Sequence, residues 1–76
     1  MKTMKIKIYN VTDVSMLVAQ AINIEDKEIT ITQGRYVING KSLMGVFSLD
    51  LTKEINVEYP AEAYDFENFI KNFKAE

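Results

Sequence analysis

The sequence predicts an α+β fold, with a four-stranded antiparallel sheet covered on one side by three helices in the order β-α-β-β-α-β-α. Three observations point to it. Four short segments alternate apolar and polar residues with a period of two, which gives strands with one buried and one open face. Two further segments carry apolar residues at i, i+3, i+4 and i+7, the stripe of an amphipathic helix. Three glycines and one proline fall between these segments as punctuation, and nothing reads as a linker or repeat. Seventy-six residues make one small domain, residues 1–76.

The elements follow in order. Met4, Ile6 and Ile8 share one face of a first strand, Met4 to Tyr9, with Lys5, Lys7 and Tyr9 on the other. The period then changes. Val14, Leu17, Val18, Ala21 and Ile22 form a helical stripe, with Thr12 or Asp13 as its cap. In "EITIT" Ile29 and Ile31 point inward and the threonines outward. Gln33-Gly34 turns the chain, and "RYVI" returns as the paired strand. After a turn at Asn39-Gly40, Ser42 to Leu49 has room for two turns of helix. "EINVEY" alternates cleanly, with Ile55, Val57 and Tyr59 opposite Glu54, Asn56 and Glu58. Beyond Pro60, Phe66, Phe69, Ile70 and Phe73 form the last stripe. Helices packed on the apolar side of such a sheet give a two-layer α+β sandwich with the other face open.

Composition excludes several functions. The chain has no histidine and no cysteine, so it lacks imidazole as base, phosphate carrier or metal ligand, and it lacks thiolate chemistry. A net charge of -2 and the absence of a basic patch argue against nucleic acid. No apolar run is long enough to span a membrane, and the N-terminus alternates where a secretory signal would be continuous. A cytoplasmic location is the default expectation. Gly34, Gly40 and Gly45 form no phosphate-cradling loop. "EDKE", Glu25 to Glu28, reads as a solvated helix-to-strand loop, because its lysine opposes a cation and the ligand spacing of a calcium loop is missing. Neither a catalytic residue nor a cofactor or metal is expected, and an enzyme is not.

The stretch "VINGKSLMGVFSLDL" is the informative one. Leu43, Met44, Val46, Phe47 and Leu49 cannot all occupy one side of a short helix. If Val46 and Leu49 face the sheet, Leu43, Met44 and Phe47 face solvent and form a partner surface. The alternative packs all five into the core around an irregular helix. Ser42 suits a helix N-cap, where its oxygen accepts a main-chain N–H. A phosphate at that position would meet the same N–H groups and the positive end of the helix, with Lys41 adjacent to help hold the charge.

"KSLMGVFSL" resembles the regulatory-serine segment of the HPr phosphocarrier family of the bacterial sugar phosphotransferase system, commonly K-S-I-M-G-V-M-S-L. Lys41, Ser42, Met44, Gly45, Val46, Ser48 and Leu49 match, and Leu43 and Phe47 are conservative changes. "SMLVAQA" is similar to the family's first helix, T-x-L-V-Q-x-A. The resemblance implies the HPr-like open-faced β-sandwich, four antiparallel strands under three helices. The family carries phosphate on a histidine in a G-I-H-A-R-P motif just before the first helix. Here the chain reads "YNVTDVSML", and either Asn10 or Val11 falls at the histidine position. The arginine position becomes Thr12 or Asp13.

The resemblance therefore points to the histidine-lacking paralogues of this family, similar to the catabolite-repression HPr-like protein. It implies phosphorylation on Ser42 by an HPr kinase/phosphorylase. It also implies docking of that kinase and of a catabolite control transcription regulator through Lys41, Leu43, Met44 and Phe47. The alternative is a diverged HPr-fold interaction domain with no phosphorylation role, binding another partner or a second copy of itself as a homodimer.

Overall fold

Every alternating segment becomes a strand and every striped segment a helix in the computed structural model, which describes residues 1–75. The elements are β1 (Lys2–Ile6), α1 (Val11–Ile22), β2 (Thr30–Gln33), β3 (Tyr36–Asn39), α2 (Leu43–Phe47), β4 (Ile55–Tyr59) and α3 (Tyr64–Ile70). A single 3-10 turn, Lys71–Phe73, extends α3. The sheet is antiparallel throughout, in the order β1-β4-β2-β3. This is the α+β architecture expected from the sequence.

The inward residues of the strands meet the helical stripes in one core. Ile6, Ile31, Ile55, Val57 and Tyr59 from the sheet are buried with Val14, Leu17, Val18 and Ala21 of α1, Val46 of α2, and Phe66 and Ile70 of α3. The opposite face carries Thr3, Lys5, Thr30, Thr32, Asn56 and Glu58, in register across the strands. Burying an aliphatic side chain of this kind is worth roughly 1.5–3 kcal/mol, so the one-sided pattern alone fixes which face the helices take.

The structure departs from the sequence reading at several element ends and at Ile22. The first strand runs Lys2–Ile6, not Met4 to Tyr9, because its partner β4 supplies five residues and the register ends at Ile6↔Ile55. Around that point, from Lys5 to Lys7, the chain also pairs with its own C-terminal segment. Lys7 N–H donates to the Phe73 carbonyl at 2.9 Å, Ala75 N–H to the Lys5 carbonyl at 2.9 Å, and Ile6 bridges to Lys74. The cap of α1 is Asn10, not Thr12 or Asp13; its Oδ1 accepts the Asp13 N–H at 2.9 Å. Ile22 is exposed, since eight residues at ~100° each turn it ~80° away from Val14 to the edge of the stripe. The second helix stops at Phe47, and Leu49 is buried from the loop beyond it.

Two polar clamps fix the layers. The Gln33 side chain donates to the main-chain carbonyls of Asp50 (2.7 Å) and Glu54 (3.3 Å) and accepts the Asp50 N–H at 2.8 Å. This ties the hairpin of β2 and β3 to the loop that follows α2. The second clamp joins β1, β4 and α3. The buried Tyr59 hydroxyl donates to Glu67 Oε2 at 2.6 Å, and Lys2 Nζ donates to the same oxygen at 2.9 Å.

The second clamp makes stability depend on pH at both ends. The hydrogen bond from Tyr59, and after it that from Lys2, holds the Glu67 carboxyl below its usual 4.5. Its contribution is complete above pH 4.5 and is lost as pH falls through the lowered folded value. Burial first, and the hydrogen bond and charge of Glu67 second, push the Tyr59 hydroxyl from 10.0 up to about 12. The folded state therefore resists ionisation there, and stability falls as pH rises between those two values. Urea melts across pH should show both limbs in the wild type. In Tyr59→Phe the alkaline limb should shrink and the acid limb flatten; unchanged limbs would remove the clamp from the account.

Candidate functional site

The segment around Ser42 is built from the turn that precedes it. Gly40 N–H donates to the Ile29 carbonyl at 2.7 Å, and a Cβ on Gly40 would lie 2.6 Å from Ile29 Cγ2, so the backbone needs glycine at this close approach. Asn39 then reverses the chain. Its Oδ1 accepts the Lys41 N–H at 2.9 Å and its carbonyl accepts the Ser42 N–H at 3.0 Å. Ser42 leaves this turn in extended conformation, φ -102° and ψ 105°, as an N-cap requires. Its Oγ accepts the Gly45 N–H at 3.1 Å, and its carbonyl accepts the Val46 N–H at 3.0 Å.

Helix α2 is short and closely held. Ser48 closes it with its N–H (3.1 Å) and its hydroxyl (2.5 Å), both on the Gly45 carbonyl. Gly45 also lets the helix settle on β3, since a Cβ there would come 2.7 Å from Ile38 Cγ2 and 3.1 Å from Ser42 Oγ. Val46 is fully buried and Leu49 nearly so, while Leu43, Met44 and Phe47 remain 41%, 82% and 38% exposed. Of the two packings the sequence allows, the structure adopts the one with an exposed Leu-Met-Phe surface. Ser42 itself is half-buried at the edge of this surface.

Lys41 lies elsewhere than its sequence position suggests. Its ammonium donates to the main-chain carbonyl of Ile24, just past the end of α1. A phosphate on Ser42 would have to draw the ammonium away from that carbonyl. The positions aligned with the family histidine sit at the start of α1. Asn10 is the helix cap and Val11 the first helical residue, and both are exposed. Asp13 stands in the first turn of the helix, where its carboxylate complements the positive end of the dipole.

Sequence reasoning missed that α1 also exposes apolar side chains, Val11 and Ile22. Gln20, Asn23 and Ile24 line a cleft against Ala63 to Phe66, which marks the flank of α1 that faces α3. Helical spacing puts Val11, Ser15 and Ile22 on the other flank, and Val11 and Ile22 are exposed. The signal was present in the helix period, because Val11 and Ile22 lie ~20° apart around the axis. Among the described residues, no group of acidic side chains is placed to hold a metal ion.

The Ser42 cap makes a direct stability test. Ser42→Ala should cost ~1 kcal/mol in urea unfolding and Ser42→Asp much less, because aspartate also accepts an N–H at this position. Gly45→Ala should be more damaging than Ser42→Ala, since the added Cβ would meet Ile38 at 2.7 Å. Equal midpoints for all three variants and the wild type would contradict the geometry.

No family model matches the chain. A search of curated proteins finds no match either. Solved structures do match. The crystal structure of a phosphocarrier protein HPr from Bacillus anthracis str. Ames superposes with a TM-score of 0.66, over 96% of this chain and 94% of that one, at 20% sequence identity. The chain has the HPr fold. That identity carries the likeness no further than the fold.

Proposed function

We propose that this protein is a non-carrier, HPr-like regulatory protein, phosphorylated on Ser42 and acting through protein–protein contacts in carbon catabolite control. The observation that carries the reading is the surroundings of Ser42. A half-buried cap serine borders the exposed Leu43, Met44 and Phe47, in a segment that resembles the family's regulatory serine, on a chain without histidine. Phosphorylation would add about -1.5 to -2 charges beside that apolar surface and change which partners fit it. The partners this reading names are an HPr kinase/phosphorylase and a catabolite control transcription regulator. Lys41, Leu43, Met44 and Phe47 would be their contact residues.

A carrier role has no support. Neither asparagine nor valine can take a phosphoryl group as imidazole does, and Asp13 would repel a phosphate held at the start of α1. The second reading is an HPr-fold interaction domain outside sugar regulation. It is favoured by one observation: the Lys41 ammonium is committed to the Ile24 carbonyl.

The two readings separate in one experiment. The protein is incubated with ATP and the HPr kinase of its own organism, and its mass is measured intact and after digestion. The first reading expects a single phosphate, on Ser42, absent from Ser42→Ala. It also expects Met44→Glu to slow labelling, since Met44 is the most exposed residue of the contact surface. A wild type that stays unlabelled, or a Ser42→Ala variant that labels equally, leaves only the second reading.

A further inference from the structure

We infer that the β3 edge of the sheet is a self-association edge, at which two copies pair β3 to β3 in antiparallel fashion. This does not rest on the reading of Ser42. The two outer strands of the sheet are β1 and β3. Unpaired edges invite further strands, and proteins usually guard them with charge, proline or a covering segment. The β1 edge is guarded in two ways. It carries Lys2 and Lys5, with Lys7 just beyond, and the C-terminal segment pairs along its end through Lys5, Ile6 and Lys7. The β3 edge has neither guard. Its four residues, "YVIN", carry no charge and no proline, and Tyr36 and Val37 are 60% and 70% exposed.

The phase of the ladder shows which main-chain groups are free. Gly40 N–H bonds to Ile29, so the Ile31–Ile38 and Gln33–Tyr36 pairs, two and four residues along, are the hydrogen-bonded ones. Val37 and Asn39 therefore turn their N–H and C=O outward. The Asn39 carbonyl is in use by Ser42, which leaves Val37 as the residue with both groups free. A two-fold axis through Val37 matches this pattern. The two Val37 residues exchange N–H···O=C bonds, and Asn39 of each copy lies opposite Arg35 of the other. Shifting the register by one residue about Ile38 would instead bring Arg35 alongside Lys41, a like-charge pair that opposes it. The outcome is one continuous sheet of eight strands with its polar face open throughout. Four residues a side make a small interface, so the dimer is weak and its population depends on concentration.

Sedimentation velocity from micromolar to millimolar concentration tests this, together with amide hydrogen exchange on the same samples. The sedimentation coefficient should rise with concentration, and exchange at the Val37 amide should slow in parallel. Val37→Lys should weaken association ~10-fold or more without changing the fold, because the side chain is exposed and the two lysines would face each other. Val37→Pro should do the same, since it removes an N–H that no internal bond uses. Phe47→Lys, on the far side of α2, should leave association unchanged. A coefficient that stays flat, a Val37 amide that exchanges freely at high concentration, or association abolished by Phe47→Lys and kept by Val37→Lys would each overturn the inference.

Discussion

Strand β4 is the element on which the other parts depend. It comes late in the chain yet lies inside the sheet, with β1 along one side and β2 along the other. In the sheet, β1 and the β2–β3 hairpin are joined through it. Its three inward residues, Ile55, Val57 and Tyr59, are buried under the helices, and Tyr59 extends the contact to α3 through Glu67. The pairing of Lys2 with Tyr59 closes residues 2–59 into one loop. Such closure is entropically costly, and the burial along β4 offsets it. The helices then have a single apolar floor to cover, and α2 takes the part above β3.

The position of α2 follows from what that floor leaves over. A helix of five residues can bury few side chains. Val46, with Leu49 beyond the helix end, meets the core, and the glycine between Met44 and Val46 lowers the backbone onto Ile38. Leu43, Met44 and Phe47 are left outside by the same geometry. The exposed surface is thus a consequence of seating a short, apolar helix on a strand. That it also borders a cap serine is what gives it functional interest.

Most of the fold was legible because strands and stripes obey simple periods. Ile29 and Ile31, Ile55 to Tyr59, and Val14 to Ala21 all face where alternation or helical spacing puts them. What escaped the sequence depends on partners distant in the chain. Nothing in "KIYN" says that β1 must stop where β4 runs out, or that Phe73 and Ala75 bond along its other edge. Asn10, Thr12 and Asp13 are all residues that cap helices, and only the extended backbone at Asn10 decides among them. At the site, the Ser42 cap could be read from spacing, whereas spacing left two packings of Leu43, Met44 and Phe47 and only the seat of α2 on β3 decides between them. The direction of Lys41 could not be read, since its acceptor is a main-chain carbonyl that carries no sequence signature.

The Gln33 clamp has a consequence for how this protein can vary. Its amide grips the loop between α2 and β4 by hydrogen bonds to main-chain atoms of Asp50 and Glu54. Any residue with a free N–H and carbonyl at those places can be held in the same way. Leu49 and Leu51 still have to fill the core, but Asp50 and Glu54 are held without regard to their side chains, so one glutamine on a neighbouring strand separates the inheritance of the loop's path from that of its polar residues.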